Sequence, residues 1–412
     1  MKRCALIFGM ALAMPLAAIE APPTTRRDAP ERVAISLAQA VDLAWQRLPS
    51  AQALTQREAQ ARADGQAASA WTPAPPTVSL AHLTDRLDAR NGRREWEAEF
   101  ATPLWLPRQR DAQQSLAQAR QAQVGAEALA QRLELAGNVR EAWWHLAEAR
   151  NGAALAQRRW QSAQTLQADV ERRWRAGDLA RTDANLARAE TQAAEAEWIE
   201  ASRSEGQAEA ALHALLGAPP PRLLAEEPVA GGAPAIDDHP RLASAAAAAR
   251  AAQAQLRLAD QSRREAPELA LRVVRERGNA GEAYANVVGV KLSIPLSSAP
   301  RTARESAAAR AELAEAQARV TQLHQQLQLD ADSARRDGAA AERRLALARS
   351  RTELTADTLQ LTQKSFSLGE SDLATLLRAR AAAFDADADL ERQAIARATA
   401  VSRLNQALGV LP

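Results

Sequence analysis

Residues 101–110 read ATPLWLPRQR, and residues 293–302 read SIPLSSAPRT. Each passage ends a run of alternating residues at a proline-punctuated turn. Each then opens a stretch of 68 residues without proline, Arg108–Arg175 and Arg301–Leu368. At about 1.5 Å per residue such a helix is roughly 100 Å long. No compact domain holds a helix of that length, and it needs partners along its whole extent. Alanine supplies much of the 47% apolar content while aromatics reach only 3%, which suits close helix–helix packing better than a broad core.

The residues upstream of both junctions alternate. Within 95–104, Trp96, Ala98, Phe100, Thr102 and Leu104 fall on one side and Glu95, Glu97 and Glu99 on the other. Within 282–294, Tyr284, Val288, Val290, Leu292 and Ile294 share a face, with Asn286 the exception, opposite Ala285, Gly289, Lys291 and Ser293. Shorter strands are expected at about 77–83 and 269–275. A period of two with one apolar face fits a strand with lipid outside and water inside. A strand half-buried in a soluble sandwich alternates in the same way, and the long helices tip the reading toward the former. On it, Trp96, Phe100, Leu104, Val288, Val290 and Leu292 face lipid.

Working outward, the chain is a tandem repeat with a period of about 192 residues. Leu48-Pro49 matches His239-Pro240, Pro76 matches Pro267, and Thr102-Pro103-Leu104 matches Ile294-Pro295-Leu296. Trp174-Arg175-Ala176-Gly177 matches Phe366-Ser367-Leu368-Gly369, and Leu216-Gly217 matches Leu408-Gly409. Chance alignment of alanine-rich sequence does not hold prolines and glycines in register. The first repeat covers 35–217, with its long helix at 108–175 and a return helix at 179–216. The second covers 239–409, with its long helix at 301–368 and a return helix at 373–408. Residues 218–238, with Pro219-Pro220-Pro221 and Gly231-Gly232, read as an extended linker.

Each long helix turns at a glycine, the residue suited to a left-handed helix end. Asp178 and Glu370 follow, where a helix N-terminus favours negative charge.

Residues 1–21 read as a secretory signal, with Lys2 and Arg3 before an apolar run from Cys4 to Ala18. Residues 22–34 form an extended segment. Cys4 stands at the very start of the apolar run and not after it, so no lipid anchor is expected, and a mature chain without cysteine has no disulfide. Past residue 21 no stretch of 18 apolar residues exists, so a membrane span would have to be a β-barrel. Charges nearly cancel, at 52 basic and 50 acidic residues, which argues against nucleic acid as a partner. His82, His145, His213, His239 and His324 show no metal-ligand spacing on a helix. Asp385, Asp387 and Asp389 form an acidic run that reads more simply as a solvated face than as a lumen patch. No phosphate loop, nucleophile elbow or catalytic carboxylate pair is present, so no enzyme activity and no cofactor are expected.

Four strands cannot close a conducting barrel, and an open sheet edge in lipid is forbidden. Strands in a membrane would therefore be pooled between subunits. The duplicated strand-strand-long-helix-helix unit, its proline punctuation and the aromatic-x-x-Gly tips resemble the TolC-type outer-membrane efflux factors, over about residues 31–410. Trp143-Trp144 and the Pro-Leu-Trp strand end resemble the heavy-metal branch of that family. The resemblance implies a mainly α fold with a small β part, and a homotrimer whose α-helical barrel is continuous with a twelve-stranded barrel in outer-membrane lipid. It implies an outer-membrane channel extending into the periplasm, docked to a periplasmic adaptor and an inner-membrane pump. The tip residues carried over as docking positions are Gly177, Asp178, Gly369, Glu370 and Asp372. Acidic gate positions expected six and nine residues past the second tip glycine hold Thr375 and Arg378 instead, while the first repeat has Asp183. A lock between Asp183 and Arg378 is the substitute considered. A one-hairpin periplasmic adaptor, or a soluble coiled-coil scaffold, is the competing reading, and neither explains two hairpins with repeated strands.

Overall fold

A computed structural model describes residues 35–231, 235–296 and 299–412. The expected signal, with Cys4, and the segment 22–34 lie outside the described residues, as does part of the linker.

The elements run α1 (Leu37–Arg47), α2 (Pro49–Ala68), β1 (Thr77–Thr84), β2 (Arg94–Pro103), α3 (Gln109–Ala176) and α4 (Arg181–Leu216). After a single 3-10 turn at Ile236–Asp238 come α5 (Pro240–Gln261), β3 (Glu268–Arg277), β4 (Ala285–Ser293), α6 (Ala299–Ser367) and α7 (Leu373–Ala407). This is the mainly helical, duplicated architecture that the sequence pointed to. None of the described helices is long and apolar enough to cross a membrane.

The two halves repeat in detail. Leu48 (φ −71°, ψ 119°) and His239 (φ −64°, ψ 126°) are extended N-caps, each followed by a proline at the first helical position. Proline lacks only a donor that the first turn leaves unpaired anyway. The halves part company before that point, where the first has α1 and the second only the 3-10 turn.

Several element ends differ from the sequence reading for local reasons. Arg108 takes a left-handed conformation (φ 63°), so α3 starts one residue later. Helix α2, which the sequence lets run from Ser50 to Trp71 before Pro73, Pro75 and Pro76, stops at Ala68, because Ser69 and Ala70 close the turn onto Gly65, Gln66 and Ala67. Leu104 lies past the end of β2, although its amide still donates to the Pro267 carbonyl at 2.7 Å. Residues 282–284 belong to a turn, where the Glu282 side chain accepts from the Gly278 amide at 2.9 Å.

The strands form one antiparallel sheet in the order β1-β2-β3-β4, leaving β1 and β4 as its edges. The helices have a parallel order. Near the strands α2 packs on α3, α3 on α5 and α5 on α6. Toward the tips α4 packs on α3, α3 on α7 and α7 on α6. One border of the chain is thus β1, α2 and α4, and the other is β4 and the single helix α6.

The main core is a belt partway along α3. Leu37, Val41, Leu135, Val139, Trp143, Leu146, Leu212, Leu216 and Ala398 are buried together there, with Ile35, Leu224 and Leu411 packed against them. A second core joins the two tips, where Leu166 and Val170 of α3 meet Phe366 of α6 and Leu373 and Leu376 of α7.

Candidate functional site

Directly opposed residues of paired strands share a face, so the register sorts the sheet into two surfaces. On one, Val78 faces Phe100, Phe100 faces Leu271 and Leu271 faces Val290. The next row is Leu80, Ala98, Val273 and Val288, and Thr102, Leu269 and Leu292 make another. Trp96, Phe100, Val288, Val290 and Leu292 all lie on this surface and are exposed. Val78 and Leu80 of β1 and Leu271 and Val273 of β3 extend it. Leu104 follows on from it beyond the strand.

The opposite surface carries charge. Arg272 Nε sits 2.8 Å from Glu97, and its other nitrogen 3.9 Å from Glu95. Lys291 lies 3.9 Å from Glu99. The glutamates legible in the β2 alternation are therefore cross-linked by cations from β3 and β4. The sheet has one ion-paired side and one apolar side that no other described element covers.

At the far end, both long helices finish in the same way. Gly177 (φ 91°) donates to the Trp174 carbonyl, and the Asp178 amide donates to Arg173. Gly369 (φ 78°) donates to Phe366, and the Glu370 amide donates to Ser365. These are paired Schellman closures, which need a left-handed residue. Nothing lies within 4 Å of a Cβ built on either glycine, so the cost of a substitution is backbone strain alone. Gly369→Ala is expected to lower stability by about 1–2 kcal/mol, read as an earlier thermal unfolding. The same change at Gly125, which is mid-helix and equally open, is expected to raise it.

The acids that cap the return helices are not those expected. Helix α4 starts at Arg181, and Asp183 accepts from the Ala180 amide at 3.2 Å. Asp372 is the N-cap of α7 and accepts from the Thr375 amide at 2.9 Å. The hydroxyl and amide of Thr375 hold the Asp372 carboxyl below its ordinary range. Asp178 and Glu370 belong to the turns before these helices. Asp183 and Arg378 do not meet within the chain, because Arg378 donates to Thr375 Oγ1 at 3.1 Å. Arg173 lies 5.3 Å from the Phe366 ring and ties the first tip to the second.

Between sheet and tips, the belt hides a polar cluster that the sequence did not announce. The side chains of Arg140 and Glu227 are 4% and 6% exposed. Arg140 Nε donates to Glu227 Oε2 at 3.1 Å, and a second nitrogen donates to Oε1 at 2.9 Å and to the Val410 carbonyl at 2.9 Å. Ser402 Oγ donates to Glu227 at 2.6 Å and accepts from Trp144 Nε1 at 2.8 Å. Asn405 holds Pro228 and Ala230 of the linker at 3.0 and 3.1 Å. The linker and C-terminus are thereby pinned to α3 and α7. Trp143 and Trp144 are packing residues of this belt.

His239 lies beside it, 2% exposed, with Nδ1 accepting from the Arg241 amide at 3.1 Å. Burial, and then the charge of Arg241, lower its pKa from 6.5, while the Gln406 carbonyl works the other way. A histidine with a depressed native pKa binds fewer protons folded than unfolded, so its contribution is complete above about 6.5 and fades as pH falls. Stability is expected to drop as pH falls below about 6.5, and His239→Gln to flatten that part of a melting-temperature profile.

Among the described residues no group of histidine, cysteine and carboxylates could hold a metal ion.

A four-stranded sheet with one ion-paired face and one exposed apolar face, borne on duplicated helical hairpins of this length, is a fold shared with solved outer-membrane channels. Solved structures agree over most of the chain. VceC of Vibrio cholerae, an outer membrane protein, is 18% identical, with 91% of this chain and 96% of that one covered and a TM-score of 0.72. CusC, described with transmembrane channel formation, is 16% identical, with 92% and 93% covered and a TM-score of 0.76. The CmeC outer membrane channel of Campylobacter jejuni is 14% identical, with 90% and 85% covered and a TM-score of 0.72. A search of curated protein sequences finds no match. Residues 234–410 match the family model described as Outer membrane efflux protein, which bears out the resemblance to TolC-type outer-membrane efflux factors. That family is one of outer-membrane channels, not of enzymes.

Proposed function

We propose that the protein is the outer-membrane exit duct of a tripartite efflux or secretion system, a homotrimer that passively conducts substrate received from an inner-membrane pump. The observation that carries this reading is the sheet itself. An apolar outer face and two unpaired edges, β1 and β4, are satisfied together when three chains pool four strands each into one closed barrel. The helical borders support the same closure, since α6 of one protomer would meet α2 and α4 of the next in the ring order that joins β4 to β1. Each interface is then head-to-tail and the ring closes on itself.

The tips at Gly177, Asp178, Gly369, Glu370 and Asp372 are proposed to contact the periplasmic adaptor, because they end the tube farthest from the strands. Asp183 and Arg378 are retained as a gate only across a protomer boundary, as each is held by its own helix within the chain. Conductance left unchanged by D183N combined with R378Q would remove them from that role.

The test of the whole reading is fractionation followed by unheated gel electrophoresis and planar-bilayer recording. An SDS-resistant trimer in the outer-membrane fraction that conducts is expected. A monomer in the soluble periplasm would sink the proposal and favour a coiled-coil adaptor or scaffold.

A further inference from the structure

The exposed face of the sheet is layered along the strands. From Leu104 up to Trp96 it is apolar, eight residues or about 27 Å along the strand at 3.4 Å per residue, and roughly 20 Å high once tilted as barrel strands are. The row that ends this band is His82, Trp96, Arg275 and Asn286. His82 stacks on Trp96 with ring centroids 4.0 Å apart, and an aromatic pair at that height marks a membrane–water boundary. The row above, toward the strand-connecting loops and away from the helices, sets Arg94 directly opposite Arg277. Arg275, Arg277 and Arg94 therefore stand together on the lipid side, just past the apolar band.

Like charges directly opposed across strands destabilise a sheet, and here no described carboxylate offsets them. Among the described residues no ion pair joins these three arginines to a carboxylate, although 25 ion pairs form elsewhere or on the other face. Nearby acids are engaged or on the other face: Glu95 pairs with Arg93 and Arg272, the Asp85 carboxylate accepts from the Asn91 amide at 2.8 Å, Glu282 accepts from the Gly278 amide, and Glu276 sits opposite Glu95 on the other side of the sheet. Arg275 and Arg277 lie 4.8 and 5.0 Å from the Tyr284 ring, and Arg277 Nε donates to the Gly92 carbonyl at 3.1 Å. Those contacts orient the guanidiniums and leave their charge uncompensated.

We propose that Arg94, Arg275 and Arg277 form a binding site for the phosphates of an anionic lipid headgroup in the outer leaflet, one site per protomer. A guanidinium fork matches phosphate oxygens in pairs, and Tyr284 holds two of the forks side by side. The inference rests on the barrel reading above, because only that reading puts lipid against this face.

The test uses the full-length protein in detergent, with native mass spectrometry counting bound diphosphoryl lipid A. Retention of lipid A by the wild type is expected, with little retention of lipid A stripped of both phosphates. The R94Q/R275Q/R277Q variant is expected to lose retention on the order of 100-fold, each arginine near an anionic surface contributing about fivefold. Inorganic phosphate at the same concentration is expected neither to bind nor to compete. Equal retention of phosphorylated and stripped lipid by the wild type overturns the proposal without any variant. Equal binding of free phosphate overturns the headgroup as its ligand. A protein that inserts and conducts yet fails these tests leaves the channel reading standing, whereas one that never reaches a membrane fails the channel reading first.

Discussion

Glu227→Ala is expected to cost about 3–5 kcal/mol of stability, the largest loss from any single substitution considered. The carboxylate sits in the belt with three side-chain partners, Arg140, Ser402 and Asn405. Its removal strands the Arg140 guanidinium in a site where only 3% of that residue is exposed. Taking an ion from water costs several kcal/mol, and the pair's attraction returns this only while both members stay. The loss should exceed that from Ser402→Ala, which removes one neutral hydroxyl at about 1–3 kcal/mol. The double change Arg140→Met with Glu227→Leu is expected to recover much of the loss. Thermal or denaturant unfolding of the wild type, Arg140→Met, Glu227→Leu and the double variant, read as a double-mutant cycle, checks this. If the single and double variants were equally impaired, the cluster would matter for its shape and not for its charge.

Leu354→Asp together with Leu361→Asp is expected to abolish the proposed trimer while leaving the monomer's helices intact. Along α6 the buried positions Ala341, Leu345, Ala348 and Phe366 face α7, with half-buried Thr352, Thr355, Leu359 and Thr362 between. Three leucines of α6, Leu347, Leu354 and Leu361, stand on another face at intervals of seven, and Leu368 continues the spacing just past the helix end, all between 62% and 72% exposed. A heptad of large apolar residues is a helix–helix seam, and among the described residues these leucines stay exposed. The opposite border offers a complement. At matching distances from the tip, α4 exposes Leu186, Ala189, Ala193 and Ala196 at spacings of three and four, with Ile199 beyond. Leucines set against alanines let the helices approach closely. Burying a leucine is worth about 1.5–3 kcal/mol, so burying carboxylates at the seam in each of three interfaces should outweigh what the closed ring gains there. Light scattering and unheated electrophoresis read the result, with circular dichroism as the folding control. A trimer that persists would place the protomer boundary elsewhere.

Much of this architecture was legible in the sequence, because prolines and glycines act locally. Pro49 and Pro240 start helices, and Gly177 and Gly369 end them, whatever packs around them. The period-two runs likewise fixed which strand residues share a face. What was missed is non-local. Glu227 lies in a proline-rich linker and Arg140 amid an alanine-rich helix, 87 residues apart. Nothing in either neighbourhood marks them as partners. The opposition of Arg94 and Arg277 needs a register between strands from different repeats, which no single-strand pattern encodes. The misplaced caps have a finer cause. A Schellman turn consumes the residues after the glycine, pushing the helix start to Arg181 and handing the capping to Asp183. The leucine heptad of α6 was present in the sequence and could have been found by its spacing alone.

The two borders of the protomer differ in a way that bears on mechanics. Helix α6 runs 69 residues without a break, whereas the facing border is built from separate pieces, α2 and α4, with β1 set off from α2 by the turn after Ala68. A stave made of one piece resists bending along its length, and a jointed one yields at its joints. Three such chains in a ring would alternate stiff and compliant ribs around the wall. Twist applied at the tips would travel along each α6 as along a torsion rod, and the strain would collect at the joints beside the belt, where the Arg140–Glu227 pair clamps the chain.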